Sequence, residues 1–578
     1  MSLLFQHVFS GHAASTPVLI ENETQWTFAD FQQQVFGLCL VLKSLNVQRD
    51  SRVILLIPNQ KEYLVAFFAM LQIGAVPVPV NITLSSLHLS YIVQDSQASH
   101  CLVADSLVPV LSECLSRLTC LVIGLTAPTE KTVEQNQEEK QRTELKEQKQ
   151  ANFLDYESLM TQALSSVNSD DCRQFFETSL ASDPAYQYQN DANKKNPNKK
   201  ASKSPILMYT SGTTALPKGV MLSERNLIAN LDGLSGTLPV SEVDKLLLAL
   251  PLFHAYGQII ALYALQQKAT LILITAFLPK AILSALTVHQ VSILPLVPTL
   301  FSVLIQVLSQ NPALTFPALR YCISGGASLP STLLRHVETR LNITVLEGYG
   351  LTETSPVIAV NRLETGSIAG SVGQVLQNVS VKISPIENDL LPLADQVSGH
   401  MGEICVKADS VMAGYLNLPQ ETALAFDESG YFRTGDLGHF DTNGNLYISA
   451  GRLKDLIIKA GENISPQQIE TILMEHPQVA ETAVVGIEDA VLGEDILACV
   501  TFYSAKPARI SCSEQKKKVQ ESDLRAYCQA HLPNLMIPKH FWVLDTPLPR
   551  NALGKVVKAD LKASWLKTRD QEMLVAKR

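Results

Sequence analysis

Apolar and polar positions along this chain follow two alternating rhythms. Short β-leaning apolar runs such as Val53–Ile57 are followed by stretches with helical spacing such as Glu62–Ile73, and this order continues to about residue 120. Such alternation predicts βα units on a largely parallel sheet, so the chain reads as α/β. Met70–Asn81 fits the plan as a helix end at Gly74 leading into a strand, and it carries no assigned chemistry. Two segments without Asp, Glu, Lys or Arg, Leu246–Gln267 and Ala281–Leu319, reach the length of a membrane-spanning helix. Pro251, His254, Gly257, Pro295 and Pro298 interrupt them, which predicts buried strands and helices of an α/β core instead.

The rhythm fails between Thr126 and Ser204. Glu130–Gln150 is mostly Glu, Lys and Gln, and Asp191–Lys203 is rich in Asn and Lys with no apolar stripe. Neither stretch buries enough surface to offset the cost of ordering, so exposed, mobile insertions are expected around a short helical piece near Phe153–Ala163. Further on, Ser223 reads as the N-cap of a helix through Leu234, with Glu224 in its first turn. Asp441–Asn445 reads as a tight hairpin turn. Ser465 and Gln468 read as a capping box with Pro466 at the first helical position. A smaller α+β unit follows: a helix to His476, strands near Ala483–Ile487 and Leu497–Tyr503, and a helix near Asp523–His531.

Composition narrows the function classes. The 578 residues include 46 basic and 55 acidic side chains, a net charge of −9, which argues against nucleic acid as a partner. The ten cysteines form no C-x-x-C pair and read as reduced, and the N-terminus lacks a basic segment and a sustained apolar core. Both point to a cytoplasmic protein.

The candidate chemistry centres on Ile206–Gly219, ILMYTSGTTALPKG. An apolar strand delivers the chain into Thr210, Ser211, Gly212, Thr213 and Thr214, with Lys218 after Pro217. Glycines and hydroxyls let backbone N–H groups surround phosphate oxygens, and the lysine adds charge. Gly219 follows the lysine, so the loop is not of the G-x-x-x-x-G-K-[ST] type. Four further strings stand out: SGGASLP at Ser324–Pro330, GYGLTETSP at Gly348–Pro356, YFRTGDLG at Tyr431–Gly438, and GRLKDLIIKAGENISPQQIE at Gly451–Glu470. LPRNALGKV closes the series at Leu548–Val556.

Taken together these strings resemble the adenylate-forming superfamily, in the acyl-CoA synthetase branch, from roughly Thr16 to Leu561. The resemblance implies a large AMP-binding domain of mixed and parallel sheets at 1–451, interrupted by the 125–204 insertions. A hinge at 452–454 and a small, mobile α+β domain at 455–578 follow. Thr210–Thr214 and Lys218 would hold the triphosphate. Gly325, Gly326 and Ala327 would lie against adenine, together with Gly348, Tyr349 and Gly350. Thr352 would reach the α-phosphate, Glu353 would ligate Mg2+, Asp436 would accept from the ribose hydroxyls, and Arg452 would reach the ribose or phosphate. His254, in PLFHAYG, would sit at the acyl pocket, and Lys454 matches the hinge position. Gly461 would border the CoA tunnel, and Lys555 would bridge carboxylate and phosphate in the first half-reaction. One departure is Ala215, where the family usually has glycine.

The function implied is ATP-dependent activation of a medium- or long-chain fatty acid as acyl-AMP, then transfer to CoA. Three alternatives stay open: transfer to a carrier protein, an aromatic carboxylate as substrate, and a non-catalytic nucleotide-binding scaffold. ATP, CoA, Mg2+ and a carboxylic acid are the implied ligands. A homodimer, an acyl carrier protein and peripheral contact with the inner face of the membrane are the further candidate associations.

Overall fold

A computed structural model describes residues 2–123, 153–165, 171, 175–176, 206–210, 216–275, 277–385, 401–452, 455–489, 491–502, 520–550 and 556–576. The N-terminal part forms the expected parallel sheet. Its order is Val76–Pro79, Arg52–Leu56, His100–Ala104, Thr119–Ile123 and Phe153–Asp155, every pair parallel. The helix Lys61–Ile73 ends at Gly74, whose φ of 76° is the left-handed conformation that glycine adopts without a Cβ penalty.

The region near Phe153 differs from the sequence reading. Phe153–Asp155 is a strand that extends the parallel sheet, and the helix runs Tyr156–Ser165. A three-residue strand is too short to show a period, but the free edge beside Thr119–Ile123 supplies its backbone partners. Tyr156 and Met160 are buried, and a Cβ on Gly37 of the neighbouring helix would lie 2.8 Å from the Leu164 side chain. Phe176 stacks on Phe5 at 5.0 Å between ring centroids. This part of the expected insertion is therefore built into the core. Glu130–Gln150 and Asp191–Lys203 lie outside the described residues.

A thirteen-stranded sheet forms the body of the large domain, and it changes character at one strand. Thr344–Gly350 pairs parallel with Tyr321–Ser324 through Thr344–Glu347, then antiparallel with Val357–Val360 through Gly348–Gly350. On one side of this switch the strands pair in parallel as far as Pro17–Glu21, to which the edge strand Thr24–Thr27 adds antiparallel; on the other side the pairing is antiparallel, down to Ser380–Pro385 at the edge. A third, small sheet pairs Ile206–Thr210, Lys218–Leu222 and Gly414–Tyr415, all antiparallel.

The two long uncharged segments resolve as α/β elements. Leu246–Gln267 spans the strand Lys245–Leu248 and the helix Ala255–Gln266. Ala281–Leu319 takes in most of the helix Pro279–Val288, then the strand Ile293–Leu296 and the helix Pro298–Ser309. Among the described residues no helix is long and apolar enough to cross a membrane. The eight cysteines among them are buried and none is disulfide-bonded.

The small unit is a separate sheet. Val479–Asp489 and Gly493–Phe502 form a long antiparallel pair, and His540–Val543 adds in parallel. Ser465 caps the helix Pro466–Glu475 by accepting from the Gln468 N–H at 3.4 Å, with Pro466 at the first position as expected. Lys558 on the last helix pairs with Glu470 at 2.7 Å.

Candidate active site

The strand Ile206–Thr210 forms because β-leaning apolar residues find a partner in Lys218–Leu222, and their register sets Thr210 opposite Lys218. The phosphate loop is thus the tip of a hairpin. Ser211, Gly212, Thr213, Thr214 and Ala215 lie outside the described residues. The base of the hairpin is clamped: the Tyr209 hydroxyl donates to Asp95 at 2.7 Å, and the Asn417 amide donates to the same carboxylate at 3.0 Å. Burial and the adjacent Asp95 carboxylate push the Tyr209 phenol far above its ordinary range, so it stays a donor.

On the other side Lys218 forms an ion pair with Glu421, and its ammonium lies 5.2 Å from the centre of the Tyr415 ring. The Tyr415 hydroxyl in turn donates to Glu353 Oε1 at 2.9 Å, while the Met412 N–H donates to the Glu353 carbonyl at 2.8 Å. The segment 412–421 therefore touches both charged groups expected to handle phosphate. Thr352 opens the single 3-10 turn Thr352–Thr354 that carries Glu353.

Two strings separated by 87 residues meet in one hydrogen bond. The Tyr349 hydroxyl donates to Asp436 Oδ2 at 2.7 Å. Asp436 is buried and follows Gly435, whose φ is 72°, at a bulge in the strand Phe432–Phe440; such a bulge re-aims a side chain. Asp436 is also the cross-strand partner of Arg452, at the end of Asn445–Arg452. Gly350 makes the Tyr349 turn feasible: a Cβ there would lie 1.9 Å from the Pro356 carbonyl oxygen.

The SGGASLP turn sits next to this strand. Gly325 is buried against the Tyr256 ring, where a Cβ would meet it at 3.0 Å, while Gly326, with a φ of 81°, and Ala327 are exposed. Glu347 ties the turn to the strand by accepting from the Leu329 N–H at 2.9 Å, and burial pushes its carboxyl up to about 7. His254 caps the helix Ala255–Gln266, its Nδ1 accepting from the Tyr256 N–H at 3.3 Å. Burial pulls its imidazole down to about 4, so it is neutral through the physiological range.

In the small unit, Ala460 and Gly461 join Ile457–Lys459 to Glu462–Ile464 as a two-residue turn with φ of 55° and 84°. That pair of positive angles is the primed hairpin geometry. Lys454 and Lys555 lie outside the described residues. Among the described residues no group of three or more His, Cys, Asp or Glu is arranged to hold a metal ion. A cation arriving on a triphosphate needs less: Glu353 supplies a hard oxygen and the phosphates supply others, so the residues fit Mg2+ in that role.

Comparison with known proteins identifies the family. The model of the AMP-binding enzyme family matches residues 5–416, and that of the AMP-binding enzyme C-terminal domain matches 468–555. The chain belongs to the AMP-binding enzyme family. A sulfoacetate–CoA ligase of Cupriavidus necator is 36% identical over 380 residues, covering 65% of this chain and 70% of the relative. A long-chain-fatty-acid–CoA ligase of Mycobacterium tuberculosis is 28% identical over 551 residues, 95% of this chain and 94% of the relative. Among solved structures, ATP-bound MatB from Rhodopseudomonas palustris superposes with a TM-score of 0.78 at 25% identity, covering 98% of this chain and 99% of that one.

Within this AMP-binding enzyme, the motifs pointed to Tyr349, Asp436, Glu353 and Lys218, and the structure joins the first two directly and the last two through Tyr415. Sequence reasoning missed Tyr415, Glu421, Glu347 and Tyr256. Glu421 lies 203 positions from Lys218, in a stretch whose Pro-Gln-Glu-Thr reads only as the start of a helix. Glu347 immediately precedes Gly348, and a carboxylate inside the apolar strand Thr344–Gly350 was a signal available in the sequence.

Proposed function

We propose that this AMP-binding enzyme is an ATP-dependent, AMP-forming acid–CoA ligase whose substrate is a medium- or long-chain fatty acid. The observation that carries the adenylating part is the hydrogen bond joining Tyr349 to Asp436. It sets an aromatic face and a ribose-accepting carboxylate side by side at the strand where the sheet switches from parallel to antiparallel. The parallel part of that strand ends at Glu347, so the pair lies just past its carboxyl end, the end of the strands at which open α/β sheets bind nucleotides.

In this reading Asp436 accepts from the ribose hydroxyls, and Thr352 donates to the α-phosphate. Lys218 and the N–H groups of the phosphate hairpin offset triphosphate charge. Mg2+ held by Glu353 would supply further neutralisation of that charge. The carboxylate oxygen attacks the α-phosphorus, the bond to the bridging oxygen of pyrophosphate breaks, and Lys555 offsets the charge between the two reactants. CoA thiolate then attacks the acyl carbon and AMP leaves. Lys454 is the hinge of a small-domain rotation that exchanges Lys555 for the Gly461 turn, and residues 1–451 and 455–578 are the bodies that move. A cytoplasmic setting, with peripheral contact to membrane where a lipid acid is taken up, belongs to the same proposal.

The fatty-acid part is supported by the near full-length relatives acting on long-chain fatty acids in Mycobacterium tuberculosis and Bacillus subtilis. One observation favours a second reading, a small acid. The buried Tyr256 ring fills the space behind Gly325, and its hydroxyl donates to the Ile323 carbonyl at 3.3 Å. Relatives named for sulfoacetate and malonate fit that alternative.

The test is mass-spectrometric product analysis of purified protein with Mg-ATP and acids from acetate and malonate to oleate and benzoate, with and without CoA. Octanoyl- to oleoyl-CoA with equal AMP is the expected product. Malonyl-CoA alone would replace the fatty acid by a small one. Acyl-adenylate accumulating with CoA unused would replace CoA by a carrier protein.

A further inference from the structure

Resting on the reading of Lys218 as a triphosphate ligand, we infer that Glu421 is an internal stand-in for phosphate. It holds the lysine ready while the site is empty and is displaced when ATP binds. Glu421 is not on a loose loop. Its helix, Pro419–Leu424, is tied to the strand Gly414–Tyr415 by the Thr422 hydroxyl, which accepts from the Tyr415 N–H at 2.9 Å and donates to the Leu418 carbonyl at 2.9 Å. A Cβ on Gly414 would lie 2.5 Å from Thr422, so glycine lets helix and strand come this close. The strand itself pairs with Lys218–Leu222, with Tyr415 opposite Val220. Glutamate and lysine are thus presented to each other by one small framework.

The same framework carries Tyr415, whose ring lies under the Lys218 ammonium and whose hydroxyl reaches Glu353. With Glu421 paired, Lys218 is held above Tyr415 at the base of the hairpin. An incoming triphosphate brings several negative charges against the single one of Glu421, so the lysine exchanges partners. The ring beneath it need not move. When pyrophosphate departs, Glu421 recaptures the ammonium and competes with rebinding.

The pair is partly exposed, with 29% and 42% of the two side chains accessible. Such pairs are weak, so the exchange costs ATP no more than about five-fold in affinity. Glu421 is therefore a positioning residue acting through Lys218, and its removal should tighten phosphate binding. Damage to the fold would weaken it instead.

The experiment is calorimetric titration of Mg-ATP and of magnesium pyrophosphate onto the full-length protein and onto Glu421→Gln and Glu421→Ala. KM for ATP is measured in parallel. The expected result is binding of both ligands about two- to five-fold tighter in both variants, with a matching fall in KM for ATP. Unchanged or weaker binding in the variants, with the parent protein binding normally, would overturn the role of Glu421 alone. A parent protein that binds neither ATP nor pyrophosphate would overturn the ligase reading with it.

Discussion

Gly350 and Gly461 both sit in strings characteristic of the family, yet the structure requires glycine at each for a different reason. At Gly350 in the large domain the constraint is space: an added Cβ would lie 1.9 Å from a backbone oxygen that the sheet holds in place. At Gly461 in the small unit nothing lies within 4 Å, and the constraint is a φ of 84°. The surroundings differ in the same sense. Around Gly350, Tyr349, Asp436, Glu353 and Tyr415 are already cross-linked by hydrogen bonds. The Gly461 turn has open space beside it. The proposed adenylating site is thus already tied together by hydrogen bonds, and the turn proposed for the thiol step is a shaped but unfilled edge.

Substitutions should separate the two regions. Gly350→Ala has the largest expected effect, since backbone must shift. A loss on the order of 4 kcal/mol in stability, with pyrophosphate release falling below detection, is the outcome to check by thermal melting and a pyrophosphate assay. Asp436→Ala removes the carboxylate proposed to accept from ribose, together with its hydrogen bond from Tyr349. KM for ATP should rise about 10- to 100-fold, read from steady-state kinetics at saturating acid.

Glu347→Gln tests the buried carboxylate between the two nucleotide strings. Its folded pKa of about 7 is raised above the ordinary 4.5 by burial, so the folded protein holds a proton that the unfolded chain has released. The resulting stability is complete below pH 4.5 and is lost as pH rises through 7. Glutamine removes this slope. The parent should lose on the order of 2 kcal/mol relative to the variant between pH 4.5 and 7.5, measured as denaturation midpoints across pH. Gly461→Ala is the mildest for the fold, about 1 kcal/mol for a left-handed alanine, and pyrophosphate release should persist in it.

Much of this contrast was legible in the sequence, for reasons tied to particular residues. The helix at Lys61–Ile73 and the strand at Ile206–Thr210 follow from apolar spacing, and Ser223 and Ser465 mark helix starts because a capping hydroxyl is a local device. Tyr349 and Asp436 could be named because their strings are distinctive. Their hydrogen bond could not, since it depends on two strands brought together across the antiparallel half of the sheet. Glu421 and Tyr415 were invisible for the same reason: their partners Lys218 and Glu353 are set by the pairing of Gly414–Tyr415 with Lys218–Leu222. The strand at Phe153–Asp155 was missed because its only cause is an open sheet edge far away in sequence.

The division between a prearranged adenylating site and a separate thiol-facing turn is tested most directly by assaying the two half-reactions in Lys555→Ala and Gly461→Ala. Each variant receives either Mg-ATP and acid, with pyrophosphate as the readout, or chemically made acyl-adenylate and CoA, with acyl-CoA as the readout. Lys555→Ala should lose the first and keep the second, and Gly461→Ala should keep the first and slow the second. Equal loss of both half-reactions in either variant would contradict the account.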